Sequence, residues 1–118
     1  PQVADWHQVL HGDALRDVVA ERLEQVTRHG FTLEHDLHHE PHELAQAGDA
    51  YAAAAIDMLE GGFQPERAGQ VNAMSWPWER DLFRPTDPRA ALVKACALLW
   101  AAIDRIDNAL QDADPADV

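Results

Sequence analysis

Apolar residues recur at helical spacing in three stretches of this chain, and no stretch alternates apolar with polar residues as a half-buried strand would. From Asp13, a residue suited to an N-cap, the positions Leu15, Val18, Val19, Leu23 and Val26 share one face, and Gly30 can close the helix. Asp5 to His11 forms a shorter helix ahead of it, stopped by Gly12. A second long helix starts at Pro41 and runs to Glu60 before Gly61-Gly62, with Leu44, Ala47, Tyr51, Ala55, Met58 and Leu59 on its buried face. The third has Asp87 as cap and Pro88 at its first position, and continues from Ala90 through about Leu110. The pattern predicts an all-α fold: a small bundle of three main helices, with a long ordered loop before the last.

The third helix carries Leu92, Ala95, Cys96, Leu99, Ile103, Ile106 and Leu110 as a core stripe, widened sideways by Val93, Ala97 and Trp100. At 100° per residue this arc covers roughly 200°, more than one partner helix needs. The helix is therefore central to the bundle or also meets a second copy of the chain, a homo-oligomer. Residues 111–118 have little to bury and read as a frayed acidic tail. At 118 residues the chain is one domain, residues 1–118, with its core within about 13–110. Cys96 lies in an apolar run and reads as a buried small hydrophobe. No apolar run approaches the ~20 residues of a spanning helix, and no signal peptide opens the sequence, which predicts a soluble, cytoplasmic protein with no membrane partner.

The connection from Gly61 to Asp87 is longer than most helix-to-helix loops. Phe63, Trp76, Trp78 and Phe83 give it area to bury, and Pro77 stiffens the backbone between the tryptophans, so Trp76-Pro77-Trp78 reads as a clip pinned across the helices. Four of the nine basic residues, Arg67, Arg80, Arg84 and Arg89, lie on this loop or just past it. Arginine beside indole suits a planar or phosphate-bearing ligand. Arg22, set between Val19 and Leu23, and Lys94, the only lysine, also stand out on apolar faces. A carboxylate partner for an inward Arg22 is available in Asp36 or Glu43.

Between the first two long helices, four of the seven histidines stand among four carboxylates in Glu34-His35-Asp36-Leu37-His38-His39-Glu40-Pro41-His42-Glu43. Imidazole and carboxylate side chains converging within about 2.0 to 2.2 Å could hold a divalent metal, and His35, Asp36, His39 and Glu43 are the candidate ligands. Pro41 divides the run, so it cannot act as one ladder of ligands. In a structural reading Thr32 caps a turn, Asp36 accepts backbone N–H bonds at the entry to the next helix, and His38, His39 and His42 are solvated.

The formal charge of −12 opposes contact with nucleic-acid phosphates or anionic membranes. It permits an acidic decoy that imitates phosphates, the prediction then being carboxylates such as Asp13, Asp17, Glu21 and Glu24 gathered on one face.

Glu21-Arg22 with Gln25, Gly30-Phe31-Thr32-Leu33-Glu34-His35-Asp36, Glu43-Leu44, Tyr51-Ala52, Trp76-Pro77-Trp78, and Arg89 with Leu92-Val93-Lys94-Ala95 together resemble a family of small phage- and prophage-encoded helical proteins. The resemblance spans about Val19 to Asp107. This chain has Phe31 where the family has tryptophan and Leu37 where it has a second aspartate. The resemblance implies a phage setting and marks these positions, with no activity attached. A shorter stretch, about Glu21 to Leu44, is similar to ryanodine-receptor-type repeat domains, whose bacterial forms are associated with nucleotide-like ligands.

The leading expectation is a phage or prophage binding module for a small polar, nucleotide-derived ligand, held by Arg22, His35, Asp36, Trp76, Trp78, Arg80, Arg84 and Lys94. One alternative is an all-α metal-dependent nucleotide phosphohydrolase; in that reading Glu21-Arg22-Leu23-Glu24 supplies a Glu-x-x-Glu spacing but faces solvent. The other is an acidic antagonist that binds a host defence protein.

Overall fold

The computed structural model describes residues 3–27, 40–61 and 74–112. Among these residues four α-helices follow in order: α1 (Val3–His11), α2 (Asp13–Thr27), α3 (Pro41–Gly61) and α4 (Pro88–Asp112), with a 3-10 turn at Arg80–Leu82. No strand occurs among the described residues. The all-α expectation holds, and each helix that the sequence pattern marks is present within a few residues of its expected ends.

Local chemistry explains the starts. Asp87 Oδ1 accepts the Ala90 N–H at 2.8 Å, and the Asp87 carbonyl accepts the Ala91 N–H at 2.9 Å. Pro88 then occupies a position where no donor is required. At α3, the Glu40 N–H donates to Glu43 Oε1 at 3.0 Å, half of a capping box ahead of Pro41.

The core is the antiparallel pairing of α3 with α4, and small side chains let the two backbones approach. Ala47, Ala50, Ala54 and Ala55 of α3 face Ala91, Ala95 and Leu98 of α4, with Leu44 against Ala101 and Ala102 farther along. Gly48 marks the closest approach: a Cβ there would lie 3.0 Å from Leu99 Cγ and Cδ2 and 3.2 Å from the Ala95 carbonyl oxygen. The loop supplies the bulk that the alanines lack. Trp76 and Phe83 close on Tyr51, with ring centroids 5.7 and 4.8 Å from it, and Trp78 stands edge-on to Trp76 at 5.2 Å. Ser75 Oγ donates to the Asp49 carboxylate and ties the same loop to α3. The clip across the helices is thus built through Trp76 and Trp78; Phe63 lies outside the described residues.

Several burial expectations are overturned. On α2 the buried residues are Arg22 and Gln25, whereas Leu15, Val19 and Leu23 are exposed. The helix docks by polar contacts instead: Asp17 to Arg89 at 2.9 Å, Glu21 to Lys94 at 3.8 Å and Arg22 to Asp104 at 3.5 Å. The order of these pairs makes α2 run in the same sense as α4. On α4 the expected core stripe divides: Ala95 is buried, and Leu92, Leu99, Ile103 and Ile106 are between 42% and 57% exposed. Cys96 is exposed as well. Leu59 of α3, expected inside, is 62% exposed. For α4 the physical reason lies in the width of its apolar arc. An apolar arc as wide as that of α4 offers two faces, and the alanine face wins because it matches the alanines and Gly48 of α3 at short range.

Candidate functional site

Three helices and the loop meet at one cleft of about 390 Å³, lined by Glu21 and Gln25 of α2, Tyr51 of α3, Trp76, Trp78, Leu82 and Arg84 of the loop, and Lys94 and Leu98 of α4. Its volume falls within the range usual for small-molecule sites. A second cleft of about 300 Å³ adjoins it, sharing Glu21, Tyr51, Arg84 and Lys94, and adds Asp17, Thr86 and Arg89 among its lining.

The loop positions its side chains through its own hydrogen bonds. Trp76 Nε1–H donates to the Glu79 carbonyl at 2.8 Å, so that indole has its polar edge satisfied and its ring held against Tyr51 and Phe83. The Arg84 N–H donates to Tyr51 Oη at 3.0 Å, and Arg84 Nε–H donates to the Asp81 carbonyl at 2.8 Å. The backbone of Arg84 is pinned to the core while its guanidinium is oriented by a neutral acceptor. No carboxylate pairs with it among the described residues. Lys94 Nζ lies 5.4 Å from the Tyr51 ring centroid and 3.8 Å from Glu21 Oε1, longer than a good charge-assisted hydrogen bond. Gln25 is 3% exposed, and its Oε1 is buried with no hydrogen-bond partner among the described residues. A buried amide oxygen without a donor costs about 1–3 kcal/mol, so a polar group that enters this cleft and bonds Gln25 recovers that penalty.

Of the residues expected from sequence to bind ligand, Trp76, Trp78, Arg84 and Lys94 come together in the cleft. Arg22 does not line it: the side chain is buried behind the wall against Asp104, and this pair replaces the expected partner Glu43. Arg80 is directed elsewhere, its guanidinium 5.4 Å from the Phe83 ring centroid and bonded to the Phe83 carbonyl at 3.4 Å. His35 and Asp36 lie outside the described residues, and so does the other expected partner of Arg22, the same Asp36. Among the metal candidates His35, Asp36 and His39 are likewise outside, and Glu43 serves as a cap of α3. His42 is exposed. No group of three or more His, Cys, Asp or Glu side chains is placed to hold a metal among the described residues.

Sequence reasoning missed Glu21, Gln25 and Tyr51 as wall residues. Glu21, expected to face solvent, has a side chain only 18% exposed and points toward Lys94. The signal was their recurrence in the resemblance pattern, since helical periodicity assigns Tyr51 to the core and leaves Gln25 unremarked. Asp13 pairs with Arg16 at 2.7 Å, and Asp17 and Glu21 pair with cations of α4, so these carboxylates are matched within the chain.

Among the described residues no helix is long and apolar enough to cross a membrane. Comparison of the chain with models of protein families, with curated proteins and with solved structures finds no match.

Proposed function

We propose that this chain is a small helical binding module of phage or prophage setting whose cleft takes a planar, polar, nucleotide-derived ligand. The observation that carries this reading is the convergence of an aromatic wall, Tyr51, Trp76 and Trp78, with the unsatisfied Gln25 amide and the cations Lys94 and Arg84 on one cleft. Each part has a role: the indole of Trp78 stacks on or edges a planar ring, Gln25 bonds its polar rim, and the cations offset negative charge. A chain of formal charge −12 repels anions at long range, so an anionic ligand needs such a local cluster to be held.

Isothermal calorimetry with nucleosides, nucleotides and cyclic nucleotides tests this. Binding is expected, with Trp78→Ala weakening it about tenfold or more, in line with stacking contributions of roughly 1–3 kcal/mol per base. Uniform absence of binding across the series would sink the proposal.

The same reading includes a second copy of the chain as partner. On α4 the exposed Leu92, Cys96, Leu99, Ile103 and Ile106 step by four and three residues, the spacing of a coiled-coil seam. Pairing of two copies through α4 covers this seam.

A further inference from the structure

Within the cleft already described as a ligand site, we infer that the ligand is bipartite: a planar ring in the aromatic cleft joined to a phosphate seated at Arg84 and Lys94, where the second cleft begins. This inference rests on the reading of the aromatic cleft as a binding site and adds the chemistry of the adjoining one.

The two clefts share Glu21, Tyr51, Arg84 and Lys94 in their linings and differ in the rest, the aromatic side chains Trp76 and Trp78 lying in the first. Trp76, Trp78, Leu82 and Leu98 belong to the first alone, and Thr86 and Arg89 to the second alone. The second cleft thus presents three cations, Arg84, Arg89 and Lys94, against two carboxylates, Asp17 and Glu21, in a chain that is acidic as a whole.

The pairings rank the cations. Arg89 is paired with Asp17 through one terminal nitrogen, Nη2, at 2.9 Å. Lys94 holds Glu21 only at 3.8 Å, which leaves its ammonium protons for a nearer anion. Arg84 uses Nε–H on the Asp81 carbonyl, an acceptor that orients the fork without neutralising it, so its terminal amino groups remain for an oxyanion. A phosphate between Arg84 and Lys94 would draw Lys94 off Glu21. Gln25 supplies the independent sign of a ligand in the neighbouring space, being a nearly fully buried amide whose oxygen has no donor among the described residues.

The experiment compares adenosine, guanosine, cytidine and uridine with their 5′-monophosphates, and with inorganic phosphate alone, by calorimetry at fixed ionic strength. The best nucleotide is expected to bind at least tenfold more tightly than its own nucleoside. Arg84→Gln should reduce that ratio to within about twofold of one, whereas Arg105→Gln, which removes the same charge at a residue of α4 that lines neither cleft, should retain it. A nucleoside that binds as tightly as its monophosphate overturns the phosphate seat and leaves the aromatic cleft standing; so does a ratio that survives Arg84→Gln. Failure of every nucleoside and nucleotide to bind overturns both.

Discussion

Tyr51 joins the core to the cleft: its ring packs against Trp76 and Phe83, while its hydroxyl accepts the Arg84 N–H. Tyr51→Phe keeps the packing and removes the acceptor, and urea denaturation should register a loss of about 1 kcal/mol. Gln25 tests function against stability. Gln25→Leu removes a buried unsatisfied oxygen, so the melting temperature should hold or rise, yet ligand binding should weaken at least tenfold. A parallel fall in stability and binding would instead make Gln25 a packing residue. Arg22 lies behind the wall, and Arg22→Ala should cost about 2 kcal/mol through the lost pair with Asp104 and the lost packing of its buried stem. Asp104→Asn should cost less, because that carboxylate is 41% exposed and water screens it.

Among the elements, α3 and α4 were the most legible in the sequence because their starts are written in local chemistry. Asp87 before Pro88 caps α4 whatever packs around it, and Asp87→Ala should cost about 1 kcal/mol by chemical denaturation. The face that each helix buries was less legible. Burial of Leu44, Ala47, Tyr51, Ala55 and Met58 follows the expected stripe of α3, whereas α4 turns Ala91, Ala95, Ala97, Leu98, Ala101 and Ala102 inward and Leu92, Leu99, Ile103 and Ile106 out. Periodicity reports that a face is apolar and says nothing about which half of a wide arc meets a neighbour. Gly48 is the residue through which that choice is enforced. Gly48→Val would drive methyl groups into Leu99 and the Ala95 carbonyl, and a destabilisation of about 2 kcal/mol or more is expected.

For the whole molecule, α2 docks through ion pairs and two buried polar side chains while Leu15, Val19 and Leu23 remain exposed. Together with Leu92, Leu99, Ile103 and Ile106 of α4, these are large apolar side chains left exposed among the described residues. Native mass spectrometry should record a dimer, and Ile103→Glu, which places a charge in the middle of the seam, should convert it to monomer. A wild-type chain that stays monomeric at micromolar concentration would remove the second copy from the proposal.

Sequence alone determined the all-α class, the bounds of the helices and four walls of the cleft: Trp76, Trp78, Arg84 and Lys94. These are short-range matters, since caps, proline positions and the company of aromatic and basic residues are properties of neighbours along the chain. Only the tertiary structure decided which face of α4 is inside, that Arg22 pairs with Asp104, that Arg80 leaves the site, and that Glu21, Gln25 and Tyr51 complete it. Apart from Arg80, which is turned by a contact three residues along the chain, those outcomes depend on contacts between residues tens of positions apart, which no local pattern encodes.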